Sequence, residues 1–539
     1  MSPRWRSLYG AGVPEEIDVR AENVVEMFRR RVADRPDAPQ LHYFGATLDR
    51  AETDRLSDAF AAGLERRGVG AGDRVAVALQ NTPVCVLAVL AVWKLGGTVV
   101  PVNPMYKARE LAHLLADSGA RVLVAHPAAR TAIAALPAGS APEHVLYSGA
   151  GAFAGDMGGP WPREPDDVLA ILDEGGAPRA ARSPGPGDAA LLSYTSGTTG
   201  PAKGAVNTHR NLAYQVDACS AWIGLDERDS ILTVAPLFHI TGLAMHLALG
   251  LGAGLPLVLT HRFDAATTGA LIERHRPTFA VGSITAFIAL LDEPATRDRD
   301  LSSLSKVLSG GAPVPAAAVR AFADAFGIYI HNAYGLTETT SAAVLVPLGR
   351  TAPVDEASGA LAIGVPLPSV HVEIRDERGE PLPPGEIGEL AITGPQVAAG
   401  YWRNPEQTRA AFPDGVLLTG DVGFMDVAGW VYLVDRKKDM IVAAGYKIWP
   451  REVEDVLYEH PGVREAAVVG APDPYRGETV HAHVSLRSGA TATAEELRAF
   501  CRERLAVYKA PSRIEIRDEL PKSVTGKILR RALREEPPT

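Results

Sequence analysis

The sequence predicts an α/β protein: a large N-terminal domain of parallel sheets covered by helices, carrying a small β-barrel-like unit, followed by a small α+β C-terminal domain. Three observations predict it. Apolar β-rich runs alternate with helical patterns from about residue 70, short alternating strands with turn signals follow about Ser358, and helices and strands mix beyond about Asp435. At 539 residues the chain is long enough for several structural units around one or two large cores.

The elements follow in order. "RVAVALQN", "TVVPVNP" and "RVLVAH" read as strands, with helical patterns at "PVCVLAVLAVWKLGG" and "ARELAHLLADSGA" between them, the alternation of parallel strands joined by helical crossovers. The Gly/Pro-rich stretch from Gly149 to Gly187 reads as a surface excursion, after which strand and helix resume at "AALLSYTSG" and "SILTVAP". In "VHVEIRDERGEPLPPGEIGELAITG" the turns "ERGE" and "PPGE" separate short strands of a β-rich unit. Beyond it come a helix at "REVEDVLYEH", a strand at "EAAVVGAP" and a helix at "TAEELRAFCRERL", so the expected domains are 1–435 and 436–539.

Charge and composition narrow the function. A net charge of -10 disfavours nucleic acid as a partner, because phosphate neutralisation needs a basic footprint. From Arg436 to Thr539 there are 19 Lys and Arg against 16 Asp and Glu, a mildly basic segment on an acidic protein. Cys85, Cys219 and Cys501 are too scattered for a metal cluster and odd in number for a disulfide framework, which fits a reducing cytoplasm. The start has no apolar signal-like run. Two apolar stretches, one broken by Lys94 and one by His246, glycines and Pro256, read as buried core rather than transmembrane segments.

The chemistry is concentrated in "YTSGTTGPAKGA", Tyr194 to Ala205, directly after an apolar strand run. Glycines there can turn backbone amides and hydroxyls toward a polyphosphate, with Lys203 as a cation. The spacing is not the GxxxxGK[ST] phosphate loop. It resembles instead the phosphate-binding signature of the adenylate-forming enzymes: acyl-CoA ligases, peptide-synthetase adenylation domains and beetle luciferases. Further motifs of that superfamily occur in order: "APLFHITG" at 235–242, "SGGAP" at 309–313, "NAYGLTETT" at 332–340, "TGD" at 419–421, "DRKKDMIVAAGYKIWPREVE" at 435–454 and "LPKSVTGKILRR" at 520–531. The resemblance spans nearly the whole chain and is nearest to the medium- and long-chain fatty acyl-CoA ligases.

That resemblance implies ATP, Mg²⁺ and coenzyme A as cosubstrates and small molecules as partners. A carboxylate attacks the α-phosphorus of ATP, pyrophosphate leaves, and a thiol then takes the acyl group. Joining two anions demands placed positive charge. By the resemblance Lys527 reaches the carboxylate and α-phosphate; Thr195, Ser196, Gly197, Thr198, Thr199, Gly200 and Lys203 grip phosphates; and Glu338 with the Thr195 hydroxyl holds the metal. Gly311, Asn332, Ala333, Tyr334 and Gly335 line the nucleoside, with Tyr334 on adenine, while Thr337 meets the α-phosphate and Asp421 accepts from the ribose with Arg436 nearby.

The second half-reaction needs the small domain to rotate about Lys438, so that Gly445 lines a channel for pantetheine, with Arg262 a candidate for the nucleotide phosphates of CoA. His239 either orients the carboxylate at the mouth of the acyl pocket or is a core histidine; His246 reads as structural. "FAVGSITAFIALL" and "GLTETTSAAVLV" offer an aliphatic pocket lining suited to a fatty tail. Two departures from the fatty-acid pattern stand out: Ile284 where relatives often have proline, and Leu417–Leu418 before "TGD". An aryl or branched acid, transfer to a carrier protein, and a non-catalytic nucleotide-binding role are the alternatives. Oligomeric state, including a homodimer, is left open.

Overall fold

A computed structural model describes residues 4–19, 21, 23–155, 166–179, 182–195, 202–356, 360–436, 439–443, 446–473, 476–523 and 526–535. The body is built on two sheets of the expected parallel kind. One places His144–Tyr147, Val122–Ala125, Arg74–Ala78, Thr98–Pro101, Ala189–Thr195 and Lys203–Thr208 side by side, parallel except for the last pair. In the other, a run from Pro39–Tyr43 through Leu257–Leu259, Ile231–Leu232, Phe279–Gly282 and Lys306–Gly310 to Ile330–Leu336 is parallel throughout.

Both apolar stretches are buried helix and strand. Thr82 caps Pro83–Lys94 by accepting from the Cys85 amide, and every residue of that helix is buried. Lys94 is tolerated there because Asp54 and Asp58 each hold its ammonium at 2.7 Å. The second stretch forms Ile240–Gly242, a wider π turn over Leu243–Ala248, Leu249–Ala253 and the strand Leu257–Leu259. Among the described residues no helix is long and apolar enough to cross a membrane. The three cysteines are free and buried.

The Gly149–Gly187 excursion is not loop throughout. Asp166 accepts from the Val168 and Leu169 amides, both at 3.0 Å, and starts the helix Asp167–Glu174. Val168, Ile171 and Leu172 follow helical spacing and are buried beside the helix Arg50–Arg66. The β-rich unit is a four-stranded antiparallel sheet of His371–Arg375, Gly388–Thr393, Leu417–Met425 and Val431–Arg436.

The C-terminal part is a mixed sheet in which Gly477–Leu486 pairs with Val463–Asp473 and Arg513–Arg517. The helices Pro450–Tyr458 and Ala494–Arg504 fill one face, and Leu520, Ile528 and Leu533 cover the other. What positions chemistry is the parallel topology. His239 follows the carboxyl end of Ile231–Leu232, Ser283 and Thr285 that of Phe279–Gly282, and Gly311 that of Lys306–Gly310. Ile330–Leu336 runs directly into Thr337 and Glu338, and Ala189–Thr195 ends on Thr195. Open α/β sheets bind ligands at this edge.

Candidate active site

The strand Ile330–Leu336 carries the expected nucleoside contacts. Asn332 and Tyr334 lie two residues apart and so share a face of the strand; both are buried. The Tyr334 hydroxyl donates to Asp421 Oδ2 at 2.8 Å, which ties the expected adenine platform to the expected ribose acceptor. Asp421 is buried, and its own amide donates to Thr419 Oγ1 at 3.1 Å. Asn332 Nδ2 and the hydroxyl of Ser309, its register partner on the next strand, are buried with no hydrogen-bond partner among the described residues. Such orphaned groups are costly unless a ligand meets them. Gly335 must be glycine, because a Cβ there would sit 1.5 Å from the Ser341 carbonyl oxygen. Ala333 is half-buried beside it, and Gly311 is exposed.

Glu338 lies on the short turn Thr337–Thr339 that this strand feeds. Tyr401 donates its hydroxyl to Glu338 Oε1 at 2.7 Å, and burial together with the Glu338 charge raises the phenol's pKa, so it stays a donor. Oε2 makes no hydrogen bond among the described residues, which leaves a hard oxygen for a cation. The Thr337 carbonyl is held by Asn207 Nδ2 at 2.9 Å, and the strands Ala189–Thr195 and Lys203–Thr208 both touch the turn. Thr195 is register partner to Lys203, so the hairpin brings hydroxyl, ammonium and carboxylate to one edge. Lys203 Nζ donates to Gln407 Oε1 at 2.5 Å and lies 5.2 Å from the Tyr401 ring centroid. Sequence reasoning missed Tyr401 and Gln407; their available signal was the run "GYWRNPEQ", whose first residues pair with residues 204–206.

His239 is half-buried. The Thr241 amide donates to its Nδ1 at 3.3 Å, so Nδ1 is a lone pair and the neutral ring carries its proton on Nε2. Burial, and then the charge of Lys527, depress its pKa to about 4. The ring is therefore neutral near pH 7, and the lysine is near enough for its charge to be felt. Lys527 sits beyond a tight turn in which its amide donates to Ser523 Oγ at 3.2 Å and its carbonyl accepts from the Ser523 amide at 2.7 Å. His246 is buried, and burial lowers its pKa to about 3.

Arg262 is exposed, at the end of the body next to His261. The backbone of Arg436 pairs with Asp421. The side chain of Arg436 and all of Ser196, Gly197, Thr198, Thr199, Gly200, Lys438 and Gly445 lie outside the described residues.

A second polar cluster joins the small domain to the body. Arg530 contacts Asp435 Oδ1 at 2.9 Å and Glu454 Oε2 at 2.6 Å, and the Arg451 amide donates to Asp435 Oδ2 at 3.1 Å. Burial opposes the Arg530 charge, but Glu454 and Asp435 outweigh it and raise the guanidinium pKa. Arg487 pairs with Asp292 across the same interface at 2.7 Å.

The carboxyl ends of parallel strands, met there by a smaller domain whose Lys527 charge is felt at His239, suit the joining of two anions. Residues 28–402 match the family described as AMP-binding enzyme, and residues 452–527 match the AMP-binding enzyme C-terminal domain. Fold, site and match together define an AMP-forming acid–thiol ligase. The chain belongs to the AMP-binding enzyme family, and its activity is that of an adenylate-forming acyl-CoA ligase. It is 36% identical to a long-chain-fatty-acid–CoA ligase of Bacillus subtilis (strain 168), covering 99% of this chain and 98% of the relative. It is 38% identical to a feruloyl-CoA synthase of an Amycolatopsis species, covering 94% and 97%. Among solved structures it resembles the anthranilate CoA ligase AuaEII bound to anthranoyl-AMP, with TM-score 0.85 at 27% identity over 97% of each chain. ATP-bound MatB from Rhodopseudomonas palustris gives a TM-score of 0.84 at 30% identity over 95% of this chain and 98% of that one.

Proposed function

We propose that this ligase activates a medium- or long-chain fatty acid and transfers it to coenzyme A. The observation that carries the reading is the apolar make-up of the two segments that the resemblance places at the acyl end of the site. Phe279–Gly282 and Ser341–Leu345 are buried throughout, and Ile284, Ala286, Phe287 and Ile288 continue the lining without a charged side chain. Each methylene of an acid held against them would contribute about 0.8 kcal/mol, and within 279–288 and 341–345 no residue carries a charge to select a polar tail.

In this reading the acid's oxygen attacks the α-phosphorus and the bond to pyrophosphate breaks. Lys527 neutralises the approaching carboxylate and α-phosphate, while Lys203 and the 195–200 segment hold the leaving phosphates. Tyr334 and Asp421 fix the nucleoside, with Arg436 at the ribose, and the Nε2 proton of His239 is available to orient the acid. The oxygen donors of Glu338 and Thr195 fit magnesium, which when bound screens the charge of the triphosphate. Rotation about Lys438 then withdraws Lys527 and brings Gly445 to the adenylate; the thiol attacks the acyl carbon and AMP leaves. Arg262 meets phosphates of the incoming CoA.

Pyrophosphate release over a panel of octanoate, palmitate, benzoate, ferulate and anthranilate, with and without CoA, tests the reading. Octanoate and palmitate are expected to lead, with thioester formed whenever CoA is present. The likeness to a feruloyl-CoA synthase motivates the second reading, an aryl acid, and ferulate as the fastest substrate would establish it over the first. Adenylate that never becomes a CoA thioester would point to a carrier-protein acceptor.

A further inference from the structure

The lysine turn is received by the body at one place. Gly526, immediately before Lys527, has φ +80°, and its carbonyl accepts from Thr285 Oγ1 at 3.2 Å. A Cβ on Gly526 would lie 2.3 Å from Thr285 Oγ1 and 2.7 Å from Ser283 Oγ, so the turn is pressed against both hydroxyls. These hydroxyls are themselves 2.8 Å apart. A hydroxyl has one proton to give, and that of Thr285 goes to Gly526; Ser283 therefore donates to Thr285.

Ser283 is the N-cap residue of the helix Ile284–Asp292, where a serine ordinarily accepts from a backbone amide of the first turn. It makes no such bond. Its hydroxyl is instead turned to Thr285, which reaches across 241 residues of sequence to the small domain. On the small-domain side the Gly526 amide donates to the Ser523 carbonyl at 2.9 Å, and Ser523 binds both the amide and the carbonyl of Lys527. Ser283 directly follows the strand Phe279–Gly282.

We infer that the Ser283–Thr285 hydroxyl pair is the body's clamp for the Gly526–Lys527 turn, with Thr285 a positioning residue that seats Lys527 for the adenylating half-reaction alone. The inference rests on the proposed role of Lys527. The clamp releases when the small domain rotates, so it has no part in thioester formation. Thr285→Val keeps shape and removes the donor. Its expected effect is a fall of about tenfold in kcat for acid-dependent pyrophosphate release, the size of one hydrogen bond lost only in the seated state, with the KM for ATP little changed. Thioester formation from supplied acyl-adenylate should stay at the wild-type rate, and Thr285→Ser should restore adenylation.

Equal loss of both half-reactions in Thr285→Val, no loss of adenylation, or a Ser variant as impaired as Val would each overturn the clamp. Lys527→Ala assayed alongside separates the two claims. Adenylation lost in Lys527→Ala but intact in Thr285→Val removes the clamp only; adenylation intact in Lys527→Ala removes the lysine role and the clamp with it.

Discussion

The body and the small domain are attached to themselves and to each other by different forces. One apolar cluster of buried residues runs through the body from Ala21 to Val434, whereas the small domain has clusters of its own that begin at Ile441. Among the described residues no buried apolar cluster spans the two; half-buried Trp449 leans from the small domain onto the large core, and the helix Pro450–Tyr458 lies beside Ala316–Phe326. Across the interface stand polar contacts: Thr285 with Gly526, Arg487 with Asp292, and Arg530 and Arg451 with Asp435. Apolar burial is non-directional and scales with area, so a wide greasy interface would weld the domains. The Thr285 hydrogen bond and the partly exposed Arg487–Asp292 pair are worth about 1 kcal/mol each or less and can be exchanged for water, while the buried contacts of Arg530 and Arg451 with Asp435 sit at the junction of the two domains itself. The contrast supports a fixed body with a detachable lid.

Changes inside the body test its half of the contrast, because they should impair nucleotide use whatever the lid does. The largest is Glu338→Gln: adenylation should fall on the order of a hundredfold, as for loss of one placed electrostatic partner, and more magnesium should be needed for half-maximal rate. A magnesium titration of pyrophosphate release checks it. Smaller is Tyr334→Phe, which removes the hydrogen bond to Asp421 but keeps the ring; the KM for ATP should rise a few-fold with kcat nearly unchanged, read from initial rates.

The smallest concerns pH. The folded pKa of His246 is depressed from 6.5 to about 3, so its contribution to stability is present above pH 6.5 and is lost as pH falls toward 3. His246→Gln should make the body's loss of stability between pH 6.5 and 3 less steep by about one proton, measured from urea unfolding across that range. A slope unchanged by the substitution would contradict the buried neutral ring.

Much of the body was legible because its signals are local. "RVAVALQN" and "RVLVAH" declare strands within a few residues, and the apolar run from Pro83 reads as a helix. The helix Asp167–Glu174 was overlooked because glycine and proline around it outweighed a short apolar spacing. Motif order names Glu338, Tyr334, Asp421 and Lys527 as candidates, but not what holds them. Tyr401 meets Glu338 across 63 residues and Thr285 meets Gly526 across 241, and no periodicity carries a pairing of that separation. Tyr334 and Asp421, each read for a separate ligand contact, share one hydrogen bond across 87 residues.

The detachable lid is tested most directly by Lys527→Ala followed through both half-reactions. Acid-dependent pyrophosphate release should fall by a factor of a hundred or more, on the order of the loss of one placed charge, while CoA thioester still forms from supplied acyl-adenylate at near the wild-type rate. Equal loss of the two half-reactions would contradict it.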